Sequence, residues 1–474
     1  MLEGLEISEV MLTSLEFSGR LDSEYYRPEW LAQQDLIRVR KGQPLSNFAD
    51  FLIGPFGSAF SVENYSEERK FRYIRGKDVK PMRLMDDDNV YMPKADYDRL
   101  VKYALKENDL LISVVGTIGN AAIVEAANLP AVFSCKSTVV RTRGMKPCYL
   151  LAYLNSKFGQ SLLRRRERGA VQMGLNLDDL KTLEIYEAGK EFQNVIAQIY
   201  ELSASVNRAS KITFQQAVSV LIRTFDLAEY SPIPESVNIK TLNDSFASTG
   251  RLDAEHYQPK YDQLQQALVH YPGGTTTVGE LASEIANGAE VREYQEAGTP
   301  YLRVGDLRFL DIDGASVVNI DPDSAESGLK KIGLQTGDVL LSRSGSLAVS
   351  AVVEPEWEKA LISSHLIRLR IVDARLDPYF LALFFMTLPG KMQIQKWSNG
   401  GVQPEISQPA LKAIVVPIPP MAVQHKIRDS IVKARQLRAR SDHLLEAAKR
   451  AVEIAIEKDE MAGLAYLERE GAMQ

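Results

Sequence analysis

The residues of this chain that could take part in catalysis do not form a recognisable set. Five histidines, His256, His270, His365, His425 and His443, stand too far apart in sequence to read as a metal cluster, and they suit structural or phosphate-facing roles. Two cysteines, Cys135 and Cys148, can make neither a disulfide framework nor a cysteine-based zinc site. Asp-x-Lys occurs at Asp78 to Lys80 and at Asp179 to Lys181, as in a nuclease carboxylate site, but so short a pattern arises by chance in a chain rich in both residues. No HExxH, GxGxxG, P-loop, GxSxG or Asn-Pro-Pro-aromatic motif is present. The expectation is a chain with no catalysis, metal or cofactor of its own.

What remains is charge that could hold nucleic acid. The net charge is −6 and the isoelectric point about 5.7, which excludes a protein whose whole surface grips DNA. Any such contact must be local. Basic residues cluster at 69–80 (RKFRYIRGKDVK) and at Arg164, Arg165, Arg166 and Arg168, although either cluster could equally be a solvated face balanced by acids elsewhere.

These residues belong to a chain built from a repeat. Residues 19–28 read GRLDSEYYRP and residues 250–259 read GRLDAEHYQP, a displacement of 231 with seven of ten positions identical. Tyr73, Arg75 and Asp78 answer to Tyr301, Arg303 and Asp306. Residues 108–124 (NDLLISVVGTIGNAAIV) answer to 337–353 (GDVLLSRSGSLAVSAVV), and Gly169, Val171 and Gln172 answer to Gly400, Val402 and Gln403. Four fragments in one order at nearly one spacing mean two copies of one unit. With 474 residues and 45% hydrophobic content, several cores can be buried.

Each copy has the same order of elements. Short aliphatic runs at 110–115 and 339–341, bounded by Gly, Asp or Asn, predict buried strands, and helical spacing at 149–163 and 379–395 places a helix after them. Asn176 and Ser407 suit N-caps of a short helical turn. Each copy then closes with a long helix. In the first, from about Glu191 to Phe225, one heptad series is Phe192, Ile199, Val206, Thr213, Val220 and another is Ile196, Ser203, Ser210, Ala217. In the second the series are Val423, Ser430, Leu437, Leu444, Ala451 and Ile427, Ala434, Ser441, Ala448. Small residues in one row of each let two axes approach closely, so the expected fold is α+β: two tandem pseudo-repeated α+β domains, each followed by a long helix, the helices packing as an antiparallel coiled coil. The expected boundaries are 1–190, 191–230, 231–420 and 421–474. At ~1.5 Å per residue either helix is about 50 Å long. The acidic start MLEGLEISEV is unlike a signal peptide, and the most apolar stretch, 379–388, is half the length of a membrane span, so a cytoplasmic protein with no membrane role is expected.

IPPMAVQHKI at 418–427, GPFGSAF at 54–60, GDVLLSRSGS at 337–346 and GGVQPEIS at 400–407 resemble motifs of the specificity subunits of type I restriction-modification systems, over essentially the full length. Two features depart from the pattern. The first long helix opens with Phe192-Gln193 but lacks the proline pair, and the second copy offers Ile285-Ala286-Asn287-Gly288 where the first has GPFGSAF.

The resemblance implies that each domain reads one half of a split target in double-stranded DNA while the helices set the distance between halves. Half-sites on one face of B-DNA repeat about every 34 Å, within reach of such a spacer. It also implies two modification subunits bringing S-adenosylmethionine and restriction subunits using ATP and Mg, this chain binding none of these cofactors. Arg and Lys read guanine, Gln reads adenine, and Lys, Arg and Ser hold phosphates. The candidate DNA-binding residues are Arg75, Lys77, Lys136 and Gln172 in the first domain, and Arg303, Arg308, Arg343, Ser344, His365 and Gln403 in the second. The copies differ at matching positions, Val114 against Arg343 and Lys136 against His365. Candidates for helix and partner packing are Phe192, Ile196, Ile199, Val206, Val423, Ile427, Leu437 and Leu444. Gly54, Gly57 and Ser58 suit either a phosphate loop or a plain turn. Two other readings stand beside this one: a recognition subunit of another phage-defence methylation system, and a two-domain scaffold that binds protein only.

Overall fold

The repeated decapeptide closes the same small turn at both of its places in a computed structural model of the chain. Arg20 pairs with Asp22 and Arg251 with Asp253, at 2.5 and 2.6 Å. The hydroxyl of Tyr26 donates to the Arg20 carbonyl and that of Tyr257 to the Arg251 carbonyl, each at 2.9 Å. Pro28 and Pro259 then open the helices Pro28–Val39 and Pro259–Val269, at the helical position where a missing N–H costs nothing. The structure describes residues 9, 20–55, 57–169, 173–227, 230, 237–308, 310–314, 316–323, 332–400 and 403–473. They fall into two compact units, Met1–Val206 with Ala439–Gln474, and Asn207–Arg438.

In the first unit five strands pair in the order Ala49–Ile53, Ser137–Thr142, Leu110–Ser113, Ala121–Ile123, Met82–Arg83. A three-stranded sheet, Val90–Met92, Phe71–Ile74, Ala131–Phe133, lies beside it in the same unit. The second unit repeats the plan with Ala282–Asn287, Leu366–Ile371, Val339–Ser342, Ser350–Val352 and with Val318–Ile320, Thr299–Leu302, Leu361–Ile362. The predicted central strands are buried at all four positions, in Leu110–Ser113 and in Val339–Ser342. Alternation along them divides the core. Leu110 and Ile112 pack with the helices that follow, whereas Leu111 packs with Ile74, Phe133 and Val139. Val339 and Leu341 join Phe380 and Phe384, whereas Leu340 joins Leu302 and Ile362.

The single helix expected after the strands is two helices in each unit: Pro147–Asn155 and Lys157–Arg165, then Pro378–Met386 and Leu388–Trp397. Periodicity hides the corner because both helices keep an apolar face. The corner is enforced by glycine: a Cβ on Gly159 would lie 2.2 Å from the Tyr153 carbonyl oxygen, and one on Gly390 the same distance from that of Phe384. A second departure from expectation also dissolves. A Cβ on Gly54 would lie 2.4 Å from the Ser134 carbonyl oxygen and one on Gly288 2.1 Å from that of Ser363, so the second copy keeps the glycine even though the surrounding motif has changed. Asn176 and Ser407 cap the helices Leu177–Lys181 and Gln408–Lys412.

The long helices are Lys190–Thr224 and Met421–Glu457. Within the first unit they run antiparallel, with Ser203 Oγ 2.8 Å from Ser441 Oγ and the Gly189 amide donating to Glu460 at 2.8 Å. Within the second, Ser210 Oγ donates to the Ala434 carbonyl at 2.6 Å. Small side chains bring the backbones within reach of a serine hydroxyl. Phe192, Ile196, Ile199, Ile427 and Leu444 are buried, while Val206, Val423 and Leu437 are half-buried. No helix among the described residues is long and apolar enough to cross a membrane.

Candidate nucleic-acid interface

In both units the strand that carries the repeated Tyr is followed by a short turn that opens on the repeated Arg. The Arg303 amide donates to Asp306 Oδ2 at 2.7 Å, and Arg75 makes the same bond to Asp78 at 2.8 Å. Each guanidinium also reaches a carbonyl thirteen residues on, that of Ser316 or Asp88. Burial works against the charge of Arg303 and of Arg75, but the bonded aspartate outweighs it and raises each guanidinium pKa above its ordinary value. Both arginines are fixed cations.

In the second unit this turn forms one wall of a cleft of about 600 Å³. Arg303, Ser344, His365 and Gln403, four of the residues singled out by type, all line it, together with Arg292 and Tyr294. They come from separate segments of the chain. Ser344 follows the strand Val339–Ser342, His365 precedes the strand Leu366–Ile371, and the two side chains meet with Ser344 Oγ 2.5 Å from His365 Nδ1. Gly345, at φ +74°, leaves room for the Gln403 carboxamide, whose nitrogen would stand 3.7 Å from a Cβ there. The Arg303 guanidinium lies 5.6 Å from the centroid of the Tyr294 ring. A concave face offering a fixed cation, a carboxamide, a hydroxyl, an imidazole and an exposed aromatic ring can hold phosphates and meet base edges. Arg343 does not line the cleft and pairs with Glu405. Burial lowers its pKa. Arg308 stands apart, 3.6 Å from Asp313.

In the first unit the structure brings together Arg75, Lys77 and Lys136. Lys77 Nζ and Arg75 Nη2 reach one carboxylate, Asp88, at 2.8 and 3.2 Å. The hydrogen bond from Lys77 and the positive charge of both hold that carboxyl below its ordinary pKa. The Lys136 stem packs on Gly76, where an added Cβ would lie 2.8 Å from Lys136 Cβ. Gln172 lies outside the described residues.

Other charged residues prove structural. Arg165 is 2% exposed, donates to the Tyr25 carbonyl at 2.7 Å and stacks 4.1 Å from that ring. Arg166 is buried too and donates to the Leu162 carbonyl at 3.2 Å, whereas Arg164 and Arg168 stay exposed, Arg168 pairing with Asp179 at 2.9 Å, so the basic cluster at 164–168 is split between core and surface. The aspartates of both Asp-x-Lys patterns are taken up in the same way, Asp78 by Arg75 and Asp179 by Arg168. Among the described residues no group of three or more His, Cys, Asp or Glu gathers that could hold a metal ion. Reasoning from residue types missed Arg292, Tyr294, Asp88 and Glu405. Glu405 sits in the GGVQPEIS motif and Asp88 in an acidic run (DDDN) facing a basic one, so each had a signal to find it.

The hydrogen bonds show that the units match position by position. The Val114 amide donates to the Lys136 carbonyl and the Arg343 amide to the His365 carbonyl, both at 2.9 Å. One scaffold presents Val and Lys in the first unit, Arg and His in the second.

Residues 281–434 match the family model for the type I restriction modification DNA specificity domain. Among solved structures, the S subunit of a type I restriction-modification system from M. genitalium is 13% identical, covering 88% of this chain and 94% of its own, with a TM-score of 0.40. The HsdS subunit from Thermoanaerobacter tengcongensis is 15% identical, covering 90% of this chain and 95% of its own, with a TM-score of 0.26. No curated protein sequence matches the chain. The matched residues take in the whole cleft, from Glu290 to Gln403.

Proposed function

We propose that this chain is the DNA-specificity subunit of a type I restriction-modification system, with no catalysis of its own. Each unit reads one half of a split, asymmetric target in double-stranded DNA. The observation that carries this reading is the cleft in the family-matched unit, where Arg303, Ser344, His365 and Gln403 converge from separate segments on one wall system. In the first unit Arg75, Lys77, Lys136 and Gln172 have the corresponding role. One scaffold fitted with different polar side chains explains two half-sites of different sequence. A scaffold that only bound protein has no need of such a set.

Two modification subunits carrying S-adenosylmethionine, and restriction subunits driven by ATP and Mg, supply the chemistry in the cytoplasm. The long helices, with Phe192, Ile196, Ile199, Val206, Val423, Ile427, Leu437 and Leu444, hold the frame on which they assemble. Co-expression with the neighbouring methyltransferase, followed by genome-wide mapping of methylated adenines, tests the reading. A split motif with a fixed gap is expected, of which one half alone changes when residues 29–190 are exchanged for those of a related chain. Methylation without such a motif overturns it.

A further inference from the structure

The shared scaffold shows what the second unit has added. Arg343 and Val114 hold one position: the Ile406 amide donates to the Arg343 carbonyl at 2.9 Å and the Leu175 amide to that of Val114 at 3.0 Å. The hairpin alongside is matched as well. Asn399 and Glu405 exchange backbone hydrogen bonds at 2.8 and 2.7 Å, and Arg168 and Gly174 at 2.9 and 2.8 Å. Glu405 bridges to Ser344 as Gly174 does to Val115. Where the first unit has Val and Gly, the second therefore has Arg and Glu, and their side chains form an ion pair.

That pair is not needed to close the hairpin. The first unit closes the same hairpin with the same backbone bonds and no side chain at Gly174. The Arg343 side chain is sunk to 19% exposure, while Glu405 is 48% exposed, next to Ser344 and two residues from Gln403 on the cleft wall. A half-buried guanidinium thus pairs with an exposed carboxylate beside a cleft that Arg292, Arg303 and His365 line. Facing the phosphate backbone, such a carboxylate would repel. Facing a base edge, it accepts a hydrogen bond from an exocyclic amine, the pairing that distinguishes cytosine in the major groove.

We propose that Glu405, held in place by Arg343, is a specificity-determining residue of the second unit that accepts a hydrogen bond from the N4 amine of a cytosine in its half-site. This rests on the DNA-reading function above. The test is selection from a pool of randomised duplexes by the full chain purified with its co-expressed methyltransferase, repeated for Glu405→Leu, which has no acceptor, and for the double variant Arg343→Val/Glu405→Gly. The double variant installs the residues the first unit already tolerates, so its melting temperature should stay within a few degrees of wild type.

The wild type should prefer cytosine at one position of one half-site by roughly five- to 150-fold. In both variants that preference should be lost while every other position keeps its base. An unchanged motif bound more weakly and evenly would make the ion pair structural and overturn the proposal. Failure of the wild type to enrich any split motif would instead remove the DNA-reading function itself, and this inference with it.

Discussion

Gln424 is buried and fully bonded. Its Oε1 accepts from the Asp377 amide, and its Nε2 donates to the carbonyls of Arg375 and Pro419, all at 2.8 Å. Gln193 does the same in the first unit, accepting from the Lys146 amide at 2.9 Å and donating to the Ala188 carbonyl at 2.7 Å. Each glutamine ties the start of a long helix to the residue preceding the first of the paired helices. Gln424→Leu strands a buried N–H, the buried Pro419 carbonyl and the partly buried Arg375 carbonyl, and should cost about 3 kcal/mol in urea unfolding, against less than 0.5 kcal/mol for exposed Gln395→Leu or a similar surface change. The glutamine in the motif is legible in the sequence, and so are Arg303 and Gln403, because residue type and repeat position coincide there. The inward turn of Arg165 is not: its partner, Tyr25, lies 140 positions away, and nothing local distinguishes it from its neighbour Arg164.

For the elements, the row Ile196, Ser203, Ser210, Ala217 and the row Ile427, Ala434, Ser441, Ala448 are buried throughout, as the heptad pattern predicts. The flanking rows drift. Gln424 and Ile431 are buried in place of Val423 and Ser430, because the helix packs on its own unit's strands and paired helices as well as on the other long helix. A single periodicity cannot serve two contact faces. The serine pair gives a sharp check on the seam. The hydroxyls of Ser203 and Ser441 lie 2.8 Å apart and each within 2.9 Å of the other residue's carbonyl, so their two protons are shared among three contacts. Either Ser→Ala change alone should cost about 1 kcal/mol, and the two together less than the sum, since removing both partners leaves no hydroxyl stranded. A double-mutant cycle by thermal melting reads this directly, and full additivity would show the pair to be inert.

For the molecule as a whole, the proposed function requires an acidic chain to confine its DNA contacts to local patches. Lys136 is exposed beside the Arg75 turn, where a phosphate contact carries no sequence information. Lys136→Ala should weaken binding evenly across sequences and reduce the slope of log K against log salt by about 1, with the recognised motif unchanged. A changed motif would move Lys136 to the base-reading set. The α+β plan and the repeat are visible in the sequence because they recur at one displacement. The assignment of each helix half to a unit is not, because it depends on which residues distant in sequence become neighbours.

That assignment bears on how the chain is made. The second unit is one continuous stretch, Asn207–Arg438, whereas the first needs Ala439–Gln474 to cover Phe192, Ile196 and Ile199. Chains leave the ribosome from the N-terminus at about 5–20 residues per second, and domains close as their residues arrive. The unit that is translated first is therefore the last to be finished. A ribosome that stalls short of Ala439 leaves the second unit whole and the first without the helix that covers its core.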